Sequence, residues 1–209
     1  MIIPIMLITQ DSLDDFVNTL NSLQKSDLNN NPIIIIDNSE NNIIEKFLYT
    51  NDLIEFNNQK FLGINGKYTI IKSSKHLSKD YIILFAINSA FKLFSQSSTC
   101  VIINDNCKFN KYWLYQLNKL YNQNSQLNLS ILSNYNKFYD ETNSDEIKIN
   151  ESIDGKIIMV TYNFYVELKK INYFSIVYLN ENNTIYNALR SISNQLGFNS
   201  LKTNKSMII

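Results

Sequence analysis

Four consecutive isoleucines, Ile33 to Ile36, constrain this chain more than any other stretch. Successive side chains of a strand point to opposite faces, so an unbroken apolar run leaves two faces to be covered. β-branched side chains are stiff and favour extended backbone. A run of this kind belongs inside a sheet that carries helices on both sides. Pro32 opens the run, and the polar residues Asp37-Asn38-Ser39 close it. Two other segments repeat the form. Ile2 to Thr9 leads into Gln10-Asp11, and Cys100 to Ile103 leads into Asn104-Asp105-Asn106.

Helical periodicity fills the intervals. Asp11 or Ser12 caps a helix with Leu13, Phe16, Val17, Leu20 and Leu23 on one face. Ile43, Ile44, Phe47 and Leu48 form a second stripe, and Lys79 to Phe94 reads as a long amphipathic helix. Asn110 stands where it would cap a helix bearing Trp113, Leu114, Leu117, Leu120 and Tyr121. Short strands are expected at Leu53 to Phe56, Leu127 to Leu132, Lys156 to Tyr162 and Phe174 to Leu179. Helices are expected from Asn163 to Lys170 and from Thr184 to Leu196, the last stopped by Gly197. Gly63 and Gly66 mark a loop, and the polar residues 136–152 read as another.

Strands separated by helices predict right-handed βαβ units, hence an α/β fold with a mostly parallel central sheet and flanking helices. Ligands bind beyond the carboxyl ends of such strands. That rule nominates three tips: Thr9 to Asp11, Asp37 to Ser39, and Asn104 to Asn106.

Composition removes several functions. Lys and Arg total 19 and Asp and Glu total 19, so the basic excess of a general nucleic-acid binder is missing. With only four Gly, the chain has no Gly-rich phosphate loop of the Walker or dinucleotide type. A single His, His76, leaves little room for a Cys/His or Ser/His/Asp nucleophile site. The two cysteines, Cys100 and Cys107, lack metal-type spacing and read as reduced thiols, which fits a cytoplasmic setting. Met1 to Thr9 has no basic n-region and is too short for a signal segment or a membrane span. Asn, Ile, Lys and Tyr are abundant and Arg190 is the only arginine, a skew that AT-rich codons produce. On that account a run such as Asn29-Asn30-Asn31 reads as loop drift.

The order of these segments resembles the GT-A-fold glycosyltransferases, and among them most closely the N-acetylglucosaminyltransferase I family of Golgi enzymes. The segments that carry it are Ile5 to Leu23, Pro32 to Ser39, the helix with His76, Tyr81 and Ala86 to Phe94, and the strand into Asn104-Asp105-Asn106. Phe109 with Tyr112-Trp113-Leu114, the stretch Leu129 to Asn136, and Gly155 followed by a strand and Tyr165-Val166-Glu167-Leu168 complete it.

The resemblance implies a single domain over residues 1–209, with a nucleotide-binding half (1–106) and an acceptor half (107–209). It implies a nucleotide-sugar donor, a UDP-sugar first, and a glycan or glycoprotein acceptor. It places Thr9, Asp11, Asp37, Asn104 and Asp105 at the donor, with Asp105 and Asn106 on a divalent cation, Mn²⁺ or Mg²⁺. Such a cation neutralises the leaving diphosphate. Glu181, in Leu179-Asn180-Glu181-Asn182-Asn183, takes the position of the general base of an inverting transfer. It reads equally well as a solvated residue at a helix N-terminus, and Glu151 and Asp154 are weaker alternatives.

The chain departs from the family at the cation motif. The family's motif is acidic at its first and last positions, where this chain has Asn104 and Asn106. An amide carbonyl can ligate a metal but brings no charge. Donor binding is therefore expected to depend less on metal, with Lys72, Lys75 or His76 as candidate substitutes, although a solvated basic face is the plainer reading of that cluster. A non-catalytic GT-A-like module with a degenerate motif is the alternative function, and an unrelated doubly wound domain the alternative fold. Trp113 is expected in the core, with sugar stacking as its second reading.

Overall fold

Residues 33–36 sit at the heart of the sheet, and the computed structural model describes residues 2–51, 55–57, 60–62, 68–72, 76–134, 147–149, 156–171 and 185–203 around them. The first half runs β1 (Ile5–Thr9), α1 (Leu13–Lys25), β2 (Ile33–Asp37), α2 (Ile43–Thr50), β3 (Glu55–Asn57), β4 (Lys60–Leu62), β5 (Tyr68–Lys72), α3 (Lys79–Leu93) and β6 (Thr99–Asn104). The second runs α4 (Trp113–Gln123), β7 (Leu129–Asn134), β8 (Ile147–Ile149), β9 (Ile157–Thr161), α5 (Tyr162–Lys170), α6 (Ile185–Gln195) and β10 (Asn199–Thr203).

The strands form one sheet in the order β3-β4-β5-β2-β1-β6-β9-β7-β10-β8. Strands β3, β5, β2, β1, β6, β7 and β10 point one way, while β4, β9 and β8 point the other, so the sheet is mostly parallel. Its central block, β5-β2-β1-β6, is wholly parallel.

Alternation along the isoleucine run divides the core in two. Ile33 and Ile35 join Ile5, Leu7, Val101 and Ile103 on one face, under Phe16, Leu20 and Leu23 of α1, Ile44 and Leu48 of α2, and Trp113, Leu114 and Leu117 of α4. Ile34 and Ile36 join Met6, Ile8 and Ile102 on the other, under Ile83, Ile87 and Phe91 of α3, Phe164 and Leu168 of α5, and Leu189 of α6. Each isoleucine of the run is buried, a transfer gain of about 1.5–3 kcal/mol apiece. Trp113 lies wholly in the core, its indole N–H donating to Ser26 Oγ at 3.1 Å, which excludes the sugar-stacking role.

Some elements differ from expectation. The sequence reading omits β4, β5, β8 and β10. Strands β4 and β8 are three residues long, too short for a period to register. Strand β5 buries Tyr68 and Ile70 on one face and leaves Thr69 and Ile71 half-buried on the other, and it lies just beyond Gly63 and Gly66. Part of the polar segment 136–152, residues 147–149, pairs as an edge strand with β10. The strand expected at Phe174 to Leu179 and both loop glycines lie outside the described residues. Ser12, not Asp11, caps α1. Asn110 does not cap α4: its Oδ1 accepts from Tyr112 N–H at 3.0 Å in the turn before the helix.

The asparagines do conformational work. Asn29, Asn30, Asn42 and Asn128 all have positive φ, between 48° and 61°. Asn is the side chain that best tolerates this region, and glycine is scarce here. Asn31 donates to Leu28 C=O and accepts from Ile3 N–H, so the run that read as drift is a built turn. Gly197, at φ 74°, ends α6.

Candidate strand-end site

The chain direction reverses about β1. From β1 the connections build outward through β2 to β5, then cross back by α3 to place β6 on the other side of β1. A crevice opens at such a switch point, outside the carboxyl ends of the strands. The ends of β1, β2 and β6 meet there in register, with Thr9 opposite Asp37 and Ile8 opposite Asn104.

The β1 and β6 tips are latched by one carboxylate. Asp105 Oδ2 accepts from Thr9 Oγ1 at 2.9 Å and from Gln10 N–H at 3.0 Å. The buried Thr19 of α1 holds the same loop: its hydroxyl donates to Asp105 C=O and accepts from Cys107 N–H, both at 3.0 Å. Burial is the main influence on the Asp105 carboxyl and raises it above the ordinary carboxylate value. The bonds from Gln10 and Thr9 oppose this in part, and the Asp15 charge adds to it.

The β2 tip is tied to both neighbours. Asn38 N–H donates to Thr9 C=O at 3.0 Å. The Asn38 side chain pairs with the Leu77 backbone, donating to its C=O at 2.9 Å and accepting from its N–H at 2.8 Å. His76 Nδ1–H donates to Asn38 C=O at 2.8 Å, which fixes its tautomer. Asp11 Oδ1 accepts from Glu40 N–H at 3.0 Å, joining the β1 turn to the residue after Ser39. Asp37 is wholly buried. Its Oδ1 accepts from Ser39 N–H and Oγ, at 2.9 and 2.7 Å, and its Oδ2 has no partner among the described residues. An unsatisfied buried polar atom costs about 1–3 kcal/mol, and more when charged. Thr99 Oγ1, at the start of β6, is unsatisfied in the same way, so burial without a partner is not peculiar to the strand tips.

The structure thus gathers Thr9, Asp11, Asp37, Asn104, Asp105, Asn106 and His76 on one sheet edge. Glu181, Glu151, Asp154 and Lys75 lie outside the described residues. Lys72 does not face the tips as a free cation: its ammonium pairs with Glu45 at 3.4 Å.

One residue was missed. Strand β9 runs antiparallel to β6, with Ile157 opposite Ile103, so its first end meets the last end of β6. Lys156 therefore arrives at the ligand edge. Its C=O accepts from Asn104 N–H at 3.4 Å and its Nζ donates to Asn106 C=O at 2.9 Å. Nothing in the local pattern around Lys156 signals this; only the pairing of β9 with β6 does.

A divalent cation fits these residues poorly. Asp105 is the motif's one carboxylate, and one of its oxygens already takes two hydrogen bonds. The main-chain carbonyl of Asn106 faces an ammonium, whose charge disfavours a cation beside it. Among the described residues no group of three His, Cys, Asp or Glu is placed to hold a metal. In this structure Asp105, expected as a metal ligand, latches two strand tips, and Asn106, the other expected ligand, has its main-chain carbonyl on a lysine.

No protein-family model and no curated protein matches the sequence. Solved structures do match the fold. The mannosyltransferase PcManGT from Pyrobaculum calidifontis, solved with GDP-Man and Mn²⁺, superposes with a TM-score of 0.61 at 9% identity, over 98% of this chain and 55% of that one. S. aureus TarS 1-349 in complex with UDP-GlcNAc gives 0.59 at 12% identity, over 100% of this chain and 57% of that one. This chain thus spans little more than half the length of those proteins. Neither bears on the narrower resemblance to the N-acetylglucosaminyltransferase I family. At such identities the likeness speaks to architecture, and the architecture is that of a GT-A-like glycosyltransferase fold.

Proposed function

We propose that this chain is a glycosyltransferase that takes a nucleotide-sugar at the joined tips of β1, β2 and β6. The observation that carries the reading is Asp37: a wholly buried carboxylate, one of whose oxygens has no partner among the described residues, at the switch point of a GT-A-like sheet. A carboxylate there suits the N–H or hydroxyl donors of a nucleoside, with Asp11 and Thr9 beside it. PcManGT was solved with GDP-Man and TarS with UDP-GlcNAc, which supports a nucleoside diphosphate sugar as donor, a UDP-sugar being our first choice.

In the reaction, Glu181 takes the proton of an acceptor hydroxyl, the freed oxygen attacks the anomeric carbon, and the nucleoside diphosphate leaves with its bonding pair. Attack opposite the leaving group inverts the centre. Glu181 is assigned on the sequence resemblance, as is a glycan or glycoprotein acceptor. On the same resemblance residues 1–106 supply most of the donor side and residues 107–209 the acceptor side.

A second reading, a binding module without catalysis, draws on the neutral Asn104 and Asn106 and on the engaged Asp105. A thermal-shift panel of UDP-GlcNAc, GDP-mannose, UDP and GDP, followed by assay of released nucleotide, separates the two, since a ligand of the native state raises stability. A shift with release that is lost in Glu181→Gln supports the transferase. A shift without release supports the module. No shift with any compound contradicts both.

A further inference from the structure

Among the described residues the site is acidic, and Lys156 brings an ammonium to it. Asp11, Asp37 and Asp105 stand at the three tips, with Asp15 close enough to act on Asp105. A nucleoside diphosphate adds more negative charge to the same edge. Lys72 is committed to Glu45. Lys156 has no carboxylate partner among the described residues, and its Nζ is held 2.9 Å from Asn106 C=O, one residue from Asp105. Its position is fixed twice, by the β6–β9 ladder and by the Asn104 N–H bond to its own carbonyl. Its backbone is thus set at the β6 tip, and one exposed hydrogen bond holds the ammonium there.

We propose that the Lys156 ammonium is the resident counter-charge for the diphosphate of the donor, in the place of a divalent cation. The proposal rests on the donor-site reading above. It explains why the motif tolerates neutral Asn104 and Asn106. Two more carboxylates would serve to hold a dication, and an ammonium supplied by β9 makes them unnecessary. Lysine binds phosphate as a point charge.

Calorimetric titration of UDP and GDP, each in chelator and in excess Mn²⁺, tests this with wild type, Lys156→Arg and Lys156→Gln. Gln keeps an amide donor for the Asn106 carbonyl but not the charge. Wild type is expected to bind one of the two nucleotides with affinities within about threefold in the two conditions. Lys156→Gln is expected to lose tenfold or more in chelator and to regain part of it with Mn²⁺, while Lys156→Arg stays near wild type. Uridine or guanosine, which lack phosphate, should bind wild type and Lys156→Gln alike, a result that mere repositioning of the loop would not give. Wild type that binds only with Mn²⁺, or Lys156→Gln that binds like wild type in chelator, overturns the proposal and leaves the donor site standing. Wild type that binds neither nucleotide in either condition overturns the donor site itself, and the proposal with it.

Discussion

Asp37 lacks solvent contact, and among the described residues only one of its oxygens has a partner. Asp37→Asn keeps an oxygen for both Ser39 donors and turns the other acceptor into an amide donor. It should change the stability of the free protein by no more than about 1 kcal/mol, since one buried polar group stays unsatisfied either way, and should abolish the thermal shift given by nucleotide. Parallel melting curves with and without ligand check both halves. The thiols make the contrasting case. Cys100 and Cys107 are unbridged and buried, and burial raises both. For Cys107 burial outweighs the opposing Lys156 charge, the Asp105 charge adds to it, and the value reaches about 12 against an ordinary 9.0. A group raised in the folded state contributes its stability in full below its unfolded value and loses it as pH climbs through the folded one. Stability should therefore fall from about pH 9 towards pH 12, less steeply in Cys107→Ala, as measured by denaturant titration across that range. Native protein should resist iodoacetamide at about pH 8, where an exposed thiol is already partly ionised and reactive, and label twice once unfolded without reductant. The positions of Asp37 and Asp105 were legible as polar residues ending β-branched runs. Their states were not, because burial and a hydrogen bond between residues 9 and 105 depend on strand order, which no local pattern carries.

Helix α1 governs the β6 tip through one hydroxyl. Thr19 has no solvent exposure, and its Oγ1 bridges Asp105 C=O and Cys107 N–H. Thr19→Val keeps the shape and strands both backbone groups. It should cost about 1–3 kcal/mol and weaken nucleotide binding, although residue 19 touches no ligand; denaturant melts and UDP or GDP titration check the pair of effects. Strand β9 works through direction. A parallel strand in its place would bring its far end to the ligand edge, whereas the antiparallel one brings Lys156. At this scale the sequence was readable where elements are long and one face is apolar. The α1 stripe of Phe16, Leu20 and Leu23 and the β2 run both appear as expected. Three-residue strands such as β4 and β8 owe their existence to pairing and leave no trace of their own.

The sheet joins the two halves of the chain at its middle. Strand β9, from the second half, sits between β6 of the first and β7 of the second. Without it β6 would be an edge with two apolar faces, a poor one to expose. A fragment of residues 1–106 should therefore fail to fold alone, and the whole chain should unfold in one step, with Trp113 fluorescence and far-ultraviolet circular dichroism giving coincident transitions. Separate transitions would contradict this. The alternation of strands and helices made the fold class readable, but the insertion of β9 is a pairing across more than fifty residues and was not. The central claim is that three strand tips, distant in sequence, form one donor site. Amide chemical-shift mapping tests it most directly, with UDP-GlcNAc and GDP-mannose titrated in turn into isotope-labelled protein. One donor is expected to shift a single connected set: Thr9 to Asp11, Asp37 to Ser39, Asn104 to Asn106, and Lys156. Perturbations confined elsewhere, or none with either donor at millimolar concentration, would contradict it.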